Sequence, residues 1–253
     1  MPYQDISVTT EGAIRTIRIC RPHKLNAITG DTISELERAI TEAGVSAETG
    51  VVVLTGEGNR AFCAGGDVEW ERDGGLESLD FRLGSMILDC PKPVIARVNG
   101  YAIAAGNHLA YCCDLTIASD HAIFGQNGPR VASPAGGYPV AHLAGIIGHK
   151  RAREMWMLCR RYSAAQMLQW GLVNAVVPEA ELDAEVARWC AELLSMSPTA
   201  LKTIKYSFGR IVDRTGTREV VEAVAPGFFQ TGEQGEGARA FLEKRAPDFS
   251  PWR

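Results

Sequence analysis

A chain of 253 residues with 46% hydrophobic content can bury one sizeable core, as one domain or as one domain with a small appendage. Its 26 basic and 30 acidic residues give a net charge of −4 with no basic block, which argues against nucleic acid and anionic membrane as partners. Seven scattered cysteines, with Cys112-Cys113 the one close pair and no C-x-x-C, point away from a zinc site or a disulfide framework and fit a reducing compartment. Met1-Pro2-Tyr3-Gln4-Asp5 shows no charged n-region leading into an apolar stretch, and no apolar run approaches bilayer length. The expectation is a soluble, cytoplasmic protein.

Along the chain, Ile6-Ser7-Val8-Thr9 and Ile14 to Ile19 alternate in polarity around Glu11-Gly12 and predict a hairpin. Asp31 to Glu35 supplies a cap and an early acid, and Ile33, Leu36 and Ile40 recur at helical spacing, so a helix is predicted to about Gly44. Strands are predicted near 51–55, 93–98, 114–118 and 172–177. Val68 to Asp89 reads as irregular around Asp73-Gly74-Gly75, then helical. The last third predicts helices over Asp183–Leu194, Pro198–Ile211, Arg218–Phe229 and Gly235–Lys244. Strands alternate with helices first and helices follow, which predicts an α/β core with a C-terminal helical layer, divided here as residues 1–195 and 196–253.

Two turns of small residues carry the chemistry. Phe62-Cys63-Ala64-Gly65-Gly66-Asp67 follows the apolar run Val51 to Leu54, and Asn99-Gly100-Tyr101-Ala102-Ile103-Ala104-Ala105-Gly106 follows Val94 to Val98. Gly and Ala leave backbone N–H groups uncovered, and two such groups converging on one point would hold an oxyanion. Either turn alone reads as an ordinary strand end, and neither fits G-x-G-x-x-G or a P-loop. Cys63, inside the first turn, has no base in its local sequence and reads as packing rather than as a nucleophile.

With both turns in this order, the chain resembles the crotonase (enoyl-CoA hydratase/isomerase) superfamily from about Ile14 onward. Arg21-Pro22-His23-Lys24-Leu25-Asn26-Ala27, Cys113 to Ala118, Ala122 to Gln126 and Glu236 to Arg245 continue the pattern. The resemblance implies a ββα superhelix with a helical trimerisation layer and assembly as a homotrimer or homohexamer. It implies no tightly bound cofactor, a CoA thioester as substrate, and Gly66 and Gly106 as oxyanion donors. It also implies CoA contacts from Lys24, Asn26, Ala27, Ala64, Gly65, Asp67 and Lys244. Phe124 to Val131, Gly136-Gly137-Tyr138, Lys150 to Trp156 and Cys159 to Tyr162 resemble the branch of 1,4-dihydroxy-2-naphthoyl-CoA synthase and 2-ketocyclohexanecarboxyl-CoA hydrolase. That points to a lyase or hydrolase working on a β-ketoacyl-CoA, a cyclic one included, by C–C cleavage or condensation.

Typical hydratases of the family place two glutamates where this chain has His108 and Gly128. His108, with an ordinary pKa of about 6.5, is the candidate acid/base, set against a packed helix residue. In one subgroup of the branch, bicarbonate replaces the missing carboxylate beside a Gln, a Gly and a Trp, matched here by Gln126, Gly128 and Trp156. Gly128 would leave volume for bicarbonate or an ordered water, and Gln126 and Trp156 would donate to it.

Ser133-Pro134-Ala135 lacks the branch's Asp, and Phe229 stands where the branch has a Tyr, so naphthoate synthesis is disfavoured. Ser133 and Tyr138 remain as polar handles for the acyl group. The alternatives are hydration or isomerisation of an enoyl-CoA through His108, and a CoA-binding protein without catalysis. An RNA-binding version is opposed by Glu35, Glu37 and Glu42 against Arg38 on the first helix.

Overall fold

The computed structural model describes residues 2–76, 82–209, 219, 221–222, 225–249 and 251. The two alternating runs pair as an antiparallel hairpin, β1 (Ile6–Glu11) and β2 (Ile14–Ile19), with Ile6 opposite Ile19. β3 (Val51–Gly56), β5 (Val94–Val98), β7 (Leu115–Ser119) and β10 (Ala175–Val177) extend it in parallel. The order is β1-β2-β3-β5-β7-β10. Every residue of β3 is buried, because both faces of the sheet are covered.

Strand periodicity divides the core. Val52, Leu54, Val94 and Ala96 face the main core with α1 (Gly30–Val45), while Val51, Val53, Ile95 and Ile117 face the other way. There α8 (Leu182–Leu194) lays Leu182, Val186 and Cys190, four residues apart, onto the sheet. Burial of a Leu or Val side chain in such a layer contributes about 1.5–3 kcal/mol. α1 is capped by Thr29, which exchanges hydrogen bonds with Thr32, so the helix starts just before the predicted Asp31 cap.

The predicted strand 172–177 is shorter, because the N–H groups of Leu172 and Val173 bond back to Met167 and close α7 (Ala164–Trp170) through left-handed Gly171.

A second, four-stranded sheet has the order β4 (Ala61–Cys63), β6 (Tyr101–Ile103), β8 (Ile123–Gly125), β9 (Arg161–Ser163). The sequence attached the two small-residue turns directly to the strands near 51–55 and 93–98. In the structure β4 and β6 intervene, pair in parallel with Cys63 opposite Ala102, and carry the turns instead. Three residues are too few to show a period, so these strands left no mark in the pattern. Buried amides hold the crossing between sheets. Asn99 Nδ2 donates to the carbonyl of Gly56 at 2.9 Å, and Asn26 Nδ2 donates to that of Ala61 at 2.7 Å. A side chain on Gly56 would collide with the carbonyl oxygens of Ala61 and Phe62.

The irregular segment resolves into α2 (Val68–Arg72) and α3 (Leu83–Asp89), with residues 77–81 outside the described set. Two further helices precede β9, α5 (Tyr138–Ile147) and α6 (His149–Leu158). Beyond 195 stand α9 (Pro198–Gly209) and α10 (Glu233–Leu242), both joined to the core. Lys205 Nζ on α9 donates to Asp114 Oδ2 at 2.6 Å and to the Lys92 carbonyl at 2.9 Å. Gln234 on α10 donates to the Glu71 carbonyl at 3.1 Å. Of the helix predicted over Arg218–Phe229, positions 218, 220, 223 and 224 lie outside the described residues, as does Ile211; Glu219, Val221 and Glu222 are helical, and Phe228–Gln230 forms one 3₁₀ turn. No helix among the described residues is long and apolar enough to cross a membrane.

Candidate active site

The two turns meet because their strands are neighbours. Gly65, at a φ of +110°, lies where an added Cβ would be 3.0 Å from the Ala104 side chain. Gly66 forms a parallel bridge with Ile28 in which Gly65 O and Asp67 N make the bonds, so its own N–H faces away from Ile28. Gly106 is the second residue of α4 (Ala105–Cys112), where a helix leaves its first N–H groups unpaired. Ala104, just before it, has φ +51° and ψ −116°, a conformation costing about 1–3 kcal/mol in an L residue. A side chain on Gly106 would overlap the carbonyl of Cys63. Cys63 is buried, its thiol pushed up to about 12 by burial, so it carries no thiolate here.

The Arg21–Ala27 turn sits beside the first of these turns, with Ala64 N–H donating to Leu25 O and Ile28 N–H to Gly65 O. Leu25 and Asn26 both have positive φ, and Ala27 is buried. Two side chains expected to meet CoA are engaged inside the protein. Asn26 bridges Arg21 N–H and the Glu57 and Ala61 carbonyls. Asp67 caps α2 through the Glu69 N–H and pairs with Arg21 at 3.1 Å. Both therefore shape the turn, and their side chains are not free for a ligand. Lys24 is at the surface, paired with Glu69 at 2.7 Å, and exposed Lys244 follows α10, which packs on α2.

A cavity opens at this junction, with Gly66, Glu71, His108, Gln126, Tyr138 and Trp156 in its wall. Ala104 and Ala105, the two residues before Gly106 in the chain, are also in the wall. On the β8 flank, Gln126 Nε2 and Oε1, Trp156 Nε1 and His108 Nε2 are buried and make no hydrogen bond of good geometry among the described residues, although the Gln126 side chain is close enough to His108 to act on its ring. The His108 and Trp156 rings lie 5.2 Å apart. Leaving a buried polar group unmatched costs about 1–3 kcal/mol, so three such side chains on one wall suit a polar occupant with donors and acceptors. Arg161 fixes the segment, donating to the Gln126 carbonyl at 2.7 Å and to Asn127 Oδ1 at 3.1 Å.

Several expectations change here. Burial pushes the His108 imidazole down from 6.5 to about 4, with the Gln126 side chain opposing, so it is neutral at pH 7 and a weak base. Gly128 lines the cavity, but the space its side chain would take is filled by the Ser133 carbonyl, 2.6 Å from an added Cβ. The glycine is needed for that backbone approach, so room for an occupant is in the cavity beside it and not in the place of the missing side chain. Tyr138, buried at the start of α5, accepts the Ser85 N–H through its hydroxyl at 3.1 Å and ties α3 to α5. Ser133 lines the cavity beside it. Phe229 is packed edge-on against Phe228 at 5.4 Å.

The residue that sequence reasoning missed is Glu71. It is 7% exposed, stands in the cavity wall, and places a carboxyl oxygen against Gly66 so closely that any side chain on Gly66 would overlap it. Burial first, and the Asp67 charge second, push this carboxyl up to about 7. A signal was present: Asp67 is a good N-cap, and a helix started there puts Glu71 one turn later on the same face. Reading 68–89 as irregular hid it.

A sequence model described as enoyl-CoA hydratase/isomerase matches residues 9–251. The chain belongs to this family. An enoyl-CoA hydratase from Mycobacterium avium subsp. paratuberculosis K-10 is 29% identical and superposes with a TM-score of 0.84, over 98% of this chain and 100% of that one. An enoyl-CoA hydratase subunit I structure from Geobacillus kaustophilus HTA426 is 33% identical, with a TM-score of 0.76 and 98% of both chains covered. An enoyl-CoA hydratase/isomerase from Xanthobacter autotrophicus Py2 is 27% identical, with a TM-score of 0.80 over 98% of this chain and 100% of that one. The mixed α/β fold is thus the crotonase fold, and the activity is of crotonase type on acyl-CoA. In this enoyl-CoA hydratase/isomerase family member the cavity wall holds a neutral imidazole at His108 and a near-neutral carboxyl at Glu71.

Proposed function

We infer that the enzyme binds a β-ketoacyl-CoA, cyclic ones included, with the thioester oxygen at the N–H groups of Gly66 and Gly106. Water then adds to the ketone carbon, the bond between that carbon and Cα breaks, and the electron pair moves onto Cα as an enolate. The reverse condensation uses the same site. The observation that carries this reading is the set of unmatched polar atoms of Gln126, Trp156 and His108 on the β8 flank. A second carbonyl, attacking water or bicarbonate would be held there by the Gln126 and Trp156 N–H donors, with Ser133 and Tyr138 beside it. Because no side chain fits at Gly128, its part is to bring the Ser133 carbonyl near.

CoA would run past the Arg21–Ala27 turn, with backbone contacts at Asn26, Ala27, Ala64, Gly65 and Asp67 and with Lys24 and Lys244 at its phosphates. Exposed Ile204 (55%) and Phe208 (67%) on α9 support self-association as a trimer or hexamer, which sedimentation would measure.

A second reading is hydration or double-bond isomerisation of an enoyl-CoA. It is favoured by the near-neutral carboxyl of Glu71 rather than by His108. Incubation with 2-ketocyclohexanecarboxyl-CoA, with and without bicarbonate, separates the two by product mass. Gain of one water with an opened ring supports cleavage, and dependence on bicarbonate supports the ion. No change with this thioester, together with turnover of an enoyl-CoA panel, would replace cleavage by the second reading. Affinity for CoA without any turnover would leave a binding protein.

A further inference from the structure

The vacated glutamate positions lie on α4 and after β8, yet the cavity holds a carboxyl on its other side. The strand order β4-β6-β8 puts β6 and its turn in the middle, carrying Ala104 to Gly106. Glu71 follows β4, and Gln126 follows β8. Neighbouring strands are about 4.8 Å apart, so the two flanks stand roughly 10 Å apart across the oxyanion turns. Glu71 lies against Gly66 itself, which places its carboxyl at the carbonyl end of a bound thioester, the end that bears Cα. The polar wall of Gln126, Trp156 and His108 is left for the distal part of the acyl group.

We propose that Glu71 is the catalytic residue that moves the proton at Cα of the bound acyl-CoA. The proposal rests on acyl-CoA binding at Gly66 and Gly106. In one direction the Glu71 carboxylate takes the proton from Cα. The C–H electron pair becomes the C=C bond of the enolate, and the charge goes to the thioester oxygen at the two N–H groups. In the other direction, after C–C cleavage has left the electron pair on Cα, the Glu71 carboxylic acid returns the proton and the thioester carbonyl re-forms. No oxidant or co-reactant is needed.

The position is held from several sides. Asp67 begins α2 through its cap to Glu69 N–H, and Arg21 holds Asp67. Gln234 from α10 donates to the Glu71 carbonyl and fixes the end of the helix turn. The charge that acts on the carboxyl is Asp67 on its own turn; His108 from α4 and Tyr138 from α5 are further titratable groups in the cavity wall. The α10 contact is the neutral Gln234 amide, and among the described residues no cation offsets the Asp67 charge at Glu71. A carboxyl near neutrality exchanges its proton readily with both water and carbon acids at physiological pH.

The test is deuterium uptake at Cα of phenylacetyl-CoA in D₂O, followed by mass, a reaction that needs an enolate but breaks no C–C bond. Wild-type enzyme should exchange with a rate that rises through about pH 7 to a plateau. Glu71→Gln should lose at least about 100-fold of the rate and the pH limb, with CoA affinity unchanged within about two-fold. Glu71→Asp, which keeps the acid but shortens it, should keep the limb at a reduced rate and shows whether the loss follows chemistry or folding.

Exchange by Glu71→Gln at the wild-type rate would overturn the proposal, and so would wild-type exchange no faster than buffer. Ring opening of 2-ketocyclohexanecarboxyl-CoA by Glu71→Gln at full rate would remove Glu71 while leaving the cleavage reading standing. Glu71-dependent exchange without ring opening would retain Glu71 and remove cleavage.

Discussion

A carboxyl oxygen of Glu71 occupies the place that a side chain on Gly66 would need. The same kind of crowding exists at Gly106, but there the neighbour is the backbone carbonyl of Cys63. The two glycines should therefore fail in different ways. Gly66→Ala should fold, because the end of a flexible side chain can move, while turnover falls about 10- to 100-fold as Glu71 is displaced. Gly106→Ala has no such relief and should lose about 2 kcal/mol or more of stability. Thermal melts and turnover of both variants check this; equal melting temperatures for the two would contradict it.

Glu71 makes stability depend on pH. Its folded pKa is raised from 4.5 to about 7, so the folded state holds the proton more tightly than the unfolded chain. The stability this gives is fully present below pH 4.5 and is lost as pH rises through about 7. Replacing the acid by an amide removes the penalty, so Glu71→Gln should be more stable than wild type at pH 8 by up to about 3 kcal/mol. Near pH 4 the two should converge. Urea melts at both pH values give the comparison, and a destabilised variant at pH 8 would argue that the carboxylate is paired.

His108 has the opposite sign. Its folded pKa lies near 4, below the 6.5 of the unfolded chain, so the unfolded state takes up the proton first. Stability is complete above pH 6.5 and falls as pH drops toward 4, by less than about 3 kcal/mol because the ring still lines the cavity. His108→Leu should flatten this acid limb between pH 6.5 and 4. An NMR titration of His108 with a midpoint near 6.5 would refute the assignment.

Lys205 and Asp114 tie α9 to the sheet. Lys205 is 8% exposed, and Asp114 also accepts the Val94 N–H at 2.7 Å. Burial raises the Asp114 pKa, and Lys205 pulls it back down. Removing one partner strands the other charge, so Lys205→Met should cost about 3 kcal/mol, the low end of the usual range because Asp114 remains 27% exposed. Lys205→Met combined with Asp114→Leu should recover much of that loss. Chemical denaturation of the single and double variants measures it, and an additive result would show that the pair is not coupled.

Much of the frame was legible because it is local or periodic. The alternation of Ile14 to Ile19, the helical spacing of Ile33, Leu36 and Ile40, and the continuous apolar run of β3 each report burial on one face or two. The two small-residue turns were legible for the same reason: Gly65, Gly66 and Gly106 are where the backbone itself must be approached. The short strands β4 and β6 were not, since three residues carry no period. Nor was the internal use of Asn26 and Asp67, whose partners are distant in sequence.

The amino-acid sequence by itself therefore determined the sheet-and-helix frame, the family, and the pair of glycine turns, because periodicity and missing side chains are properties of single segments. Only the tertiary structure decided the electrostatics of the cavity. A histidine two residues after Gly106 becomes a weak base because burial strips its hydration, and a glutamate in an unremarkable stretch comes to titrate near neutrality because it is buried beside Asp67. Desolvation depends on everything packed around a group, and nothing in the linear order of residues reports it.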